Sequence, residues 1–116
     1  MGVTRSRGNS AEALAGAYLE LVGCEVIQRN VRLAGVEVDL LALDGRHRVL
    51  VEVKYRARSD YGGAASAVDH LKRERLLRAA RALEPMNRDP VRIDVVAIEL
   101  HAEGAMLRHY RNAVTE

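Results

Sequence analysis

Hydrophobic and polar positions along the chain follow two different periods. Apolar side chains recur every three to four residues over 10–22 and again over 66–83, which predicts two amphipathic helices, the first ending at Gly23. Elsewhere apolar and β-branched residues alternate with polar ones, which predicts strands. These predicted strands cover about 24–29, 36–43, 48–55, 91–100 and 105–110. The order is therefore α-β-β-β-α-β-β, an α/β fold with the fourth strand central and the fifth at an edge.

Three connecting segments add detail to this order. Asp44-Gly45 separates the second and third strands, and this dipeptide strongly favours a hairpin turn. The segment 30–34 is either a turn or an extension of the first strand. The segment 56–65 has two adjacent glycines and no apolar period, so it is predicted to be a loop.

The predicted hairpin brings charged side chains together. Side chains alternate between the faces of a strand, so Glu37 and Asp39 share one face, and Glu52 and Lys54 share one face of the next strand. A loop of two or of four residues places both pairs on the same side of the sheet. With a loop of four, Asp39 stands opposite Glu52, and Glu37 stands opposite Lys54.

Two interpretations of this patch remain open. Carboxylates that face each other across two strands repel, and a divalent cation between them would remove the repulsion. Mg²⁺ prefers one or two carboxylates, a carbonyl and several waters, which Asp39, Glu52 and the peptide oxygen of Val53 could provide. Alternatively, the charges form a solvated, salt-bridged face of a half-exposed hairpin.

Glu12 also has two interpretations. Asn9 and Glu12 have the spacing of a capping box, which would place them at the start of the first helix and make Glu12 a capping residue. Glu12 could instead point from the helix towards the hairpin. The histidines at 47, 70, 101 and 109 do not have the spacing of metal ligands on one element, so we expect them at the surface.

Composition bounds the class of protein. The 116 residues, 48% of them hydrophobic and 29% charged, suit a single domain over 1–116 with a core over about 9–100. No apolar stretch approaches the roughly 18 residues that span a bilayer, and the start MGVTRSRGNS lacks the apolar region of a secretory signal. We therefore expect a cytoplasmic protein. The single cysteine, Cys24, excludes an internal disulfide and a four-cysteine zinc site.

The types of cation are more informative than the net charge of +2. Sixteen of the 18 basic residues are Arg, so the two lysines, Lys54 and Lys72, suggest positions where a compact ammonium is needed. The cations of the second helix are Lys72, Arg73, Arg75, Arg78 and Arg81. They form either a phosphate-binding face or the ordinary surface of a soluble helix. With four tyrosines and no Phe or Trp, the chain lacks a base-stacking platform, which favours recognition of the backbone of duplex or branched DNA.

The spacing of Asp39 and Glu52-Val53-Lys54 resembles the PD-(D/E)xK nuclease signature, and the predicted order is similar to that superfamily's restriction-endonuclease-like core, a mixed sheet flanked by helices. More closely, the chain resembles the YraN-like family of uncharacterised bacterial proteins, which are predicted endonucleases distantly akin to Holliday-junction resolvases. The matching residues are Glu12, Ala15, Tyr18, Leu19, Gly23, Asn30, Glu37-Val38-Asp39-Leu40, Val51-Glu52-Val53-Lys54, Arg56, Gly62, Ala67-Val68, Lys72, Ala79, Ala80 and Arg92-Ile93-Asp94-Val95-Val96-Ala97-Ile98. Ala11 and Val36 stand where the family usually has Gly, which bears on local backbone geometry and leaves the chemistry intact.

The resemblance implies a Mg²⁺- or Mn²⁺-dependent endonuclease that cleaves DNA, with branched or junction DNA as substrate. Asp39 and Glu52 would bind the metal, together with the Val53 carbonyl. Glu12 would reach the site through water, and Lys54 would orient the attacking water or stabilise the scissile phosphate. Junction cleavage would require two such sites and hence a homodimer.

The expected phosphate contacts are Arg56, Lys72 and Arg75, which would set affinity and not sequence preference. Glu37 is either an acid next to the metal ligands or part of the substrate face, and the loop over 56–65 could close over a DNA backbone. Two other classes of function stay open. The chain could bind branched nucleic acid without cutting it, or the nuclease core could serve as an interaction module.

Overall fold

The structure is a computed structural model that describes residues 3–57, 70–86 and 88–116, with side chains from residue 10 onwards except at 57. The described elements are α1 (Val3–Leu21), β1 (Glu25–Leu33), β2 (Val36–Asp44), β3 (His47–Ala57), α2 (His70–Leu83), a 3₁₀ turn (Glu84–Met86), β4 (Val91–His101) and β5 (Gly104–Tyr110). The predicted order is confirmed. Residues 56 and 57 belong to β3 and not to the predicted loop. The rest of that loop and residues 66–69 of the predicted second helix lie outside the described residues.

The described strands form one mixed sheet in the order β1-β2-β3-β4-β5. The pair β3 and β4 is parallel and the other pairs are antiparallel. Parallel neighbours need a crossover connection, and α2 lies in the segment that joins β3 to β4. The prediction of β4 as an inner strand and β5 as an edge strand is confirmed.

Each face of the sheet packs against one helix. On one face, α2 and the chain end cover a cluster made of Val31, Leu33, Val36, Val38, Leu41, Leu50, Leu76, Leu77, Ala79, Ala80, Leu83, Ile93 and Val114. On the other face, α1 covers a cluster made of Ala11, Ala15, Leu19, Cys24, Leu40, Ala42, Val49, Val51, Val96 and Ile98. Because β2 and β3 contribute to both clusters, these strands are apolar on both sides over much of their length.

Helix α1 begins earlier than the sequence predicts. It starts at Val3 and not near residue 10, because 3–9 contains no proline and continues the helix despite Gly8 and Asn9. Asn9 and Glu12 are thus inside the helix, and the capping interpretation of Glu12 is wrong. The predicted end is confirmed.

The end of α1 is a Schellman motif. Gly23 has a φ of 99°, its N–H donates to Glu20 O, and Cys24 N–H donates to Leu19 O at 2.8 Å. The left-handed backbone at Gly23 turns the chain out of the helix and into β1. This fixes the end of α1 next to the sheet.

The β2–β3 hairpin has the predicted register. Leu43 pairs with Arg48, and Asp44 pairs with His47, so the turn is formed by Gly45 and Arg46. Gly45 has a φ of 60°, as the first central residue of a tight hairpin turn of type II′ requires.

The side-chain alternation of β2 is interrupted at Asp39. Val38 belongs to the cluster under α2, whereas Leu40, two residues on, belongs to the cluster under α1. Asn30 stands opposite Asp39 in β1, between pairs of the β1–β2 ladder, and its φ of 53° breaks the regular strand geometry there. The sequence predicts from strand parity that Glu37 and Asp39 share one face. Because the alternation is interrupted between them, parity alone does not place them there. The segment 30–33 is a strand extension, followed by a turn at Ala34 and Gly35 with φ of 51° and 77°.

Candidate metal and phosphate site

The candidate site lies where β2 and β3 separate. Their ladder ends at the pair Leu40 and Val51, so the expected directly opposed pairs beyond it, with Asp39 facing Glu52 and Glu37 facing Lys54, are not part of the ladder. Instead, the Asp39 carboxylate accepts a hydrogen bond of 2.8 Å from the N–H of Val53. Since the N–H and C=O of one strand residue point to the same edge, the Val53 carbonyl also faces Asp39. This contact joins Asp39 to the backbone of Val53, and the third predicted metal ligand, Glu52, lies close enough for its charge to act on Asp39.

Glu52 is buried and paired with both lysines of the chain. Its side chain is 5% exposed, and its Oε2 atom lies 3.2 Å from Lys54 Nζ and 3.0 Å from Lys72 Nζ. A buried carboxylate requires such compensation, because an unpaired charge away from water costs several kcal/mol. Lys54 lies with the carboxylates as predicted. Lys72, predicted as a phosphate contact only, also reaches Glu52 from α2.

The charges near Asp39 are more negative than positive. Burial and the charge of Glu52 raise the pKa of Asp39 to about 6, and Glu12 adds to this effect. The Val53 N–H and the Lys72 ammonium act in the opposite direction but do not cancel it. A divalent cation at this position would hold Asp39 ionised, because an opposite charge within a few ångströms lowers the pKa of a carboxyl group.

Glu12 faces the site from the third turn of α1. Burial raises the pKa of Glu12, the nearby charge of Arg29 lowers it, and the charges of Glu37 and Glu52 raise it further. The Arg29 guanidinium lies next to Gly16, one turn beyond Glu12 in α1. The electrostatic coupling to Glu37 and Glu52 indicates that Glu12 belongs to the surroundings of the hairpin carboxylates.

The available donors are oxygen atoms. Within the part of the chain that the structure describes, no three His, Cys, Asp or Glu side chains are arranged to hold a metal ion. The oxygen atoms that could hold a metal ion at this position are those of the Asp39 and Glu52 carboxylates and the Val53 carbonyl, with water completing the coordination. Such a set fits Mg²⁺ or Mn²⁺, which bind one or two carboxylates and keep several waters.

A basic cleft of about 410 Å³ adjoins these carboxylates. It lies between the β1–β2 hairpin end and α2, and its charged lining consists of Arg32, Glu37, Lys72, Arg75 and Arg78. Three of the four predicted substrate residues, Glu37, Lys72 and Arg75, thus line one cleft. The fourth, Arg56, is half-buried on β3 and is not among the residues that line it.

Of the other two cleft cations, Arg32 was missed from the sequence, and Arg78 was named only among the cations of the second helix. Arg32 is brought to the cleft by the extension of β1, which the sequence left open, and Arg78 by its helical spacing of three from Arg75. Two other cations of α2 contact the chain end, because Arg73 donates to Thr115 O at 2.8 Å and Arg81 lies 3.6 Å from Glu116. The cations of α2 therefore divide into a cleft group and a structural group.

A second buried polar cluster surrounds Asp94, which is fully buried. Its carboxylate accepts hydrogen bonds from Arg92 at 2.8 and 3.0 Å and from the N–H of Asn112, and it lies 2.7 Å from His109 Nε2. Burial acts to raise the pKa of Asp94, but the hydrogen bonds from Arg92, Asn112 and His109 outweigh it and lower the pKa. Tyr18 of α1 contacts His109 Nδ1 at 3.0 Å, so the cluster ties α1 to β4 and β5.

The expectation that every histidine lies at the surface is wrong for His109, whose side chain is 3% exposed. Its contact with the buried Asp94 carboxylate stabilises it there.

No described helix is long and apolar enough to cross a membrane.

Comparison with known proteins identifies a family. A sequence model described as "Uncharacterised protein family UPF0102" matches residues 11–98. A UPF0102 protein of Halorhodospira halophila is 45% identical over 97 residues, which cover 84% of this chain and 80% of that protein. A UPF0102 protein of Stutzerimonas stutzeri is 38% identical over 117 residues, covering 97% and 98%.

Among solved structures, SfsA of Pyrococcus furiosus in complex with Ca²⁺ matches with a TM-score of 0.38 and 17% identity. The match covers 93% of this chain and 63% of that chain.

Proposed function

The chain belongs to the uncharacterised protein family UPF0102, and we propose that it is a Mg²⁺- or Mn²⁺-dependent endonuclease that hydrolyses phosphodiester bonds of DNA. The proposal rests on one observation, the convergence of Asp39, Glu52 and Val53 where two strands separate, beside both lysines and a basic cleft. Phosphodiester hydrolysis needs a metal-activated water and cations near the developing negative charge. Both requirements can be met by these residues.

Asp39, Glu52 and the Val53 carbonyl would hold the metal. When bound, it would lower the pKa of a water molecule towards neutrality and neutralise charge on the phosphate. Of the two carboxylates, Asp39 is the more exposed and is held by a single backbone N–H, whereas Glu52 is fixed between ammonium groups. Asp39 would therefore adjust its position when a substrate arrives, and Glu52 would set the site's location.

Lys54 and Glu12 would act on the water and the phosphate. The Lys54 ammonium lies 3.2 Å from Glu52 and is 19% exposed, so it can donate to an oxygen held next to that carboxylate. Such an oxygen belongs either to the attacking water or to the scissile phosphate. Glu12 would accept a hydrogen bond from water, and its raised pKa brings it closer to the range in which a carboxylate acts as a general base.

The substrate would be bound through its phosphates. Arg32, Lys72, Arg75 and Arg78 offer cations to a DNA backbone without contacting base edges, so affinity would depend on salt and little on sequence. We expect duplex or branched DNA, and paired cuts in a junction would need a homodimer. A cytoplasmic location belongs to the same proposal, because the substrate is DNA.

A second candidate function is binding of branched DNA without cleavage. The observation that favours it is the state of Glu52, whose charge is already balanced by Lys54 and Lys72. In such a protein the basic cleft would bind DNA while the carboxylates served only to hold the two lysines in place. The two candidate functions differ in whether DNA is cleaved when a metal ion is present.

The test is a panel of junction, flap, nicked and linear DNAs incubated with Mg²⁺ or Mn²⁺, with DNA binding measured in parallel. We expect metal-dependent cleavage of at least one substrate by the wild-type protein and by the surface control Glu103→Gln. We expect Asp39→Ala and Glu52→Ala to bind DNA without cleaving it. Binding by the wild type without cleavage of any substrate would favour the second candidate, and absence of both activities would refute both.

A further inference from the structure

Lys72 belongs to two sites at once. Its Nζ atom lies 3.0 Å from Glu52 Oε2, and its side chain also lines the basic cleft. Lys54 contacts the same carboxylate oxygen from β3 but is not among the residues that line the cleft. The exposed fraction of the side chain is 33% for Lys72 and 19% for Lys54, so Lys72 is the more accessible of the two to a ligand.

The cleft side of α2 is arranged for a run of phosphates. Lys72, Arg75 and Arg78 follow one another at intervals of three residues, which spans about 9 Å along the helix axis. One DNA strand carries a phosphate about every 3.4 Å of axis, so this length corresponds to two or three phosphates. Lys72 stands at the end of the run that adjoins Glu52, where the phosphate nearest to the carboxylates would lie.

A metal ion bound by Glu52 would compete with Lys72 for the charge of this carboxylate. Glu52 Oε2 is shared by two ammonium groups, and an ammonium at 3.0 Å also repels a divalent cation that approaches this carboxylate. A phosphate in the cleft offers Lys72 another anion within reach of its flexible side chain. Movement of Lys72 to that phosphate would leave Lys54 as the one ammonium paired with Glu52 among the described residues and would remove a positive charge from the metal position.

We infer that DNA in the cleft draws Lys72 away from Glu52 and thereby increases the affinity of the Asp39–Glu52 site for Mg²⁺ or Mn²⁺. This inference rests on the proposed function. Because such coupling is reciprocal, the metal increases the affinity for DNA by the same factor. The site is therefore assembled by its substrate, and the protein without DNA holds the metal weakly.

The first test compares two variants of neighbouring cleft cations. Lys72→Gln removes the competing ammonium, and Arg75→Gln removes an equal charge that is not paired with Glu52. Mn²⁺ affinity without DNA is measured by calorimetry. DNA affinity is measured by fluorescence anisotropy with EDTA and with saturating Ca²⁺, which takes the same oxygen ligands, and gel electrophoresis verifies that the DNA stays intact.

Without DNA, we expect Lys72→Gln to bind Mn²⁺ at least about threefold more tightly than the wild type, because a nearby positive charge is gone. Arg75→Gln should bind it as the wild type does. Metal should strengthen DNA binding at least about fivefold in the wild type and in Arg75→Gln, and less than about twofold in Lys72→Gln. Unchanged or weaker Mn²⁺ binding by Lys72→Gln, with the full effect of metal on DNA binding, would overturn the inference.

The second test needs no variant at Lys72. Since the chain contains two lysines, protein labelled with ¹⁵N lysine gives two side-chain ammonium signals in NMR spectra, and Lys54→Arg assigns them. Addition of DNA in EDTA should shift the Lys72 signal as it leaves Glu52 and change the Lys54 signal less. A Lys72 signal that keeps its shift while DNA binds would contradict the inference.

The outcomes separate this inference from the proposed function. Cleavage without any effect of metal on DNA affinity would refute the coupling and leave the nuclease proposal standing. Coupling without cleavage would refute the nuclease proposal and leave the coupling as a property of a binding protein. If the wild type bound no metal with or without DNA, both would fail.

Discussion

Replacement of Asp39 by asparagine should make the protein more stable at pH 8. The folded structure raises the pKa of Asp39 from 3.8 to about 6, through burial and the nearby charge of Glu52. The native state therefore binds more protons than the unfolded state in this range. The stability contributed by Asp39 is complete below pH 3.8 and is lost as the pH rises through about 6.

The size of the effect follows from these two pKa values. At about 1.4 kcal/mol per pH unit, ionised Asp39 costs at most about 3 kcal/mol above pH 7. Because the carboxylate is only half-buried, solvent screening reduces the expected cost of ionised Asp39 to roughly 1–2 kcal/mol. The asparagine introduced by Asp39→Asn carries no charge, and its side-chain oxygen can still accept the hydrogen bond from Val53 N–H.

Urea unfolding in EDTA at pH 8 and at pH 4 measures the difference. We expect Asp39→Asn to exceed the wild type in free energy of unfolding by about 1–2 kcal/mol at pH 8 and to show little difference at pH 4. Glu103→Gln, at an exposed turn, is the control and should differ by less than about 0.5 kcal/mol at both pH values. Saturating Mg²⁺ should stabilise the wild type and not Asp39→Asn. A variant that is less stable than the wild type at pH 8 would refute the assigned electrostatics.

Three further substitutions test the roles of Glu12, Lys54 and Asp94. Glu12→Gln should leave the melting temperature nearly unchanged, since the residue does not cap α1, and should lower metal affinity or activity; a large loss of stability with unaltered metal binding would contradict its role. Lys54→Arg should fold and bind DNA but cleave at least about tenfold more slowly in single-turnover assays, equivalent to about 1.4 kcal/mol, because a guanidinium does not fit the place of an ammonium. Cleavage by Lys54→Arg at the wild-type rate would show that Lys54 contributes only its positive charge. Asp94→Ala should lower the free energy of unfolding by about 3–5 kcal/mol, because Arg92, His109 and the Asn112 N–H lose their shared buried acceptor and Arg92 keeps only Asp44 as an ion-pair partner. A loss below about 1 kcal/mol would contradict the importance of this cluster.

The order of the elements and the pairing of β2 with β3 could be predicted from the sequence, because the polar and apolar pattern of each strand reflects its own surroundings. Alternating valines and the Asp44-Gly45 turn determined the β2–β3 register, and that register brought Asp39 close to Glu52-Val53. The exception occurs at Asp39 itself. The left-handed backbone of Asn30 and the separation of β2 from β3 interrupt the alternation there, and strand period alone contains no signal for either.

Contacts between distant elements were harder to predict. Glu52 attracts Lys72 across the space between the sheet and α2, and the scarcity of lysine was the signal that could have linked them. His109 is drawn inside by Asp94, 15 residues away on the neighbouring strand, although each residue alone is typical of a surface. The start of α1 was missed because a capping pattern formed by Asn9 and Glu12 does not stop a helix from extending further towards the chain start.

The proposed role of Asp39 and Glu52 is to hold a metal ion that DNA cleavage requires. It is tested most directly by single-turnover cleavage of the best substrate of the panel with Mg²⁺, with EDTA, and with Asp39→Asn. Since this variant is expected to be at least as stable as the wild type at pH 8, a loss of cleavage would not reflect unfolding. We expect the wild type to form product with Mg²⁺ and not with EDTA, and we expect Asp39→Asn to form none although it binds the DNA. Equal cleavage by the variant, or cleavage in EDTA, would contradict the claim.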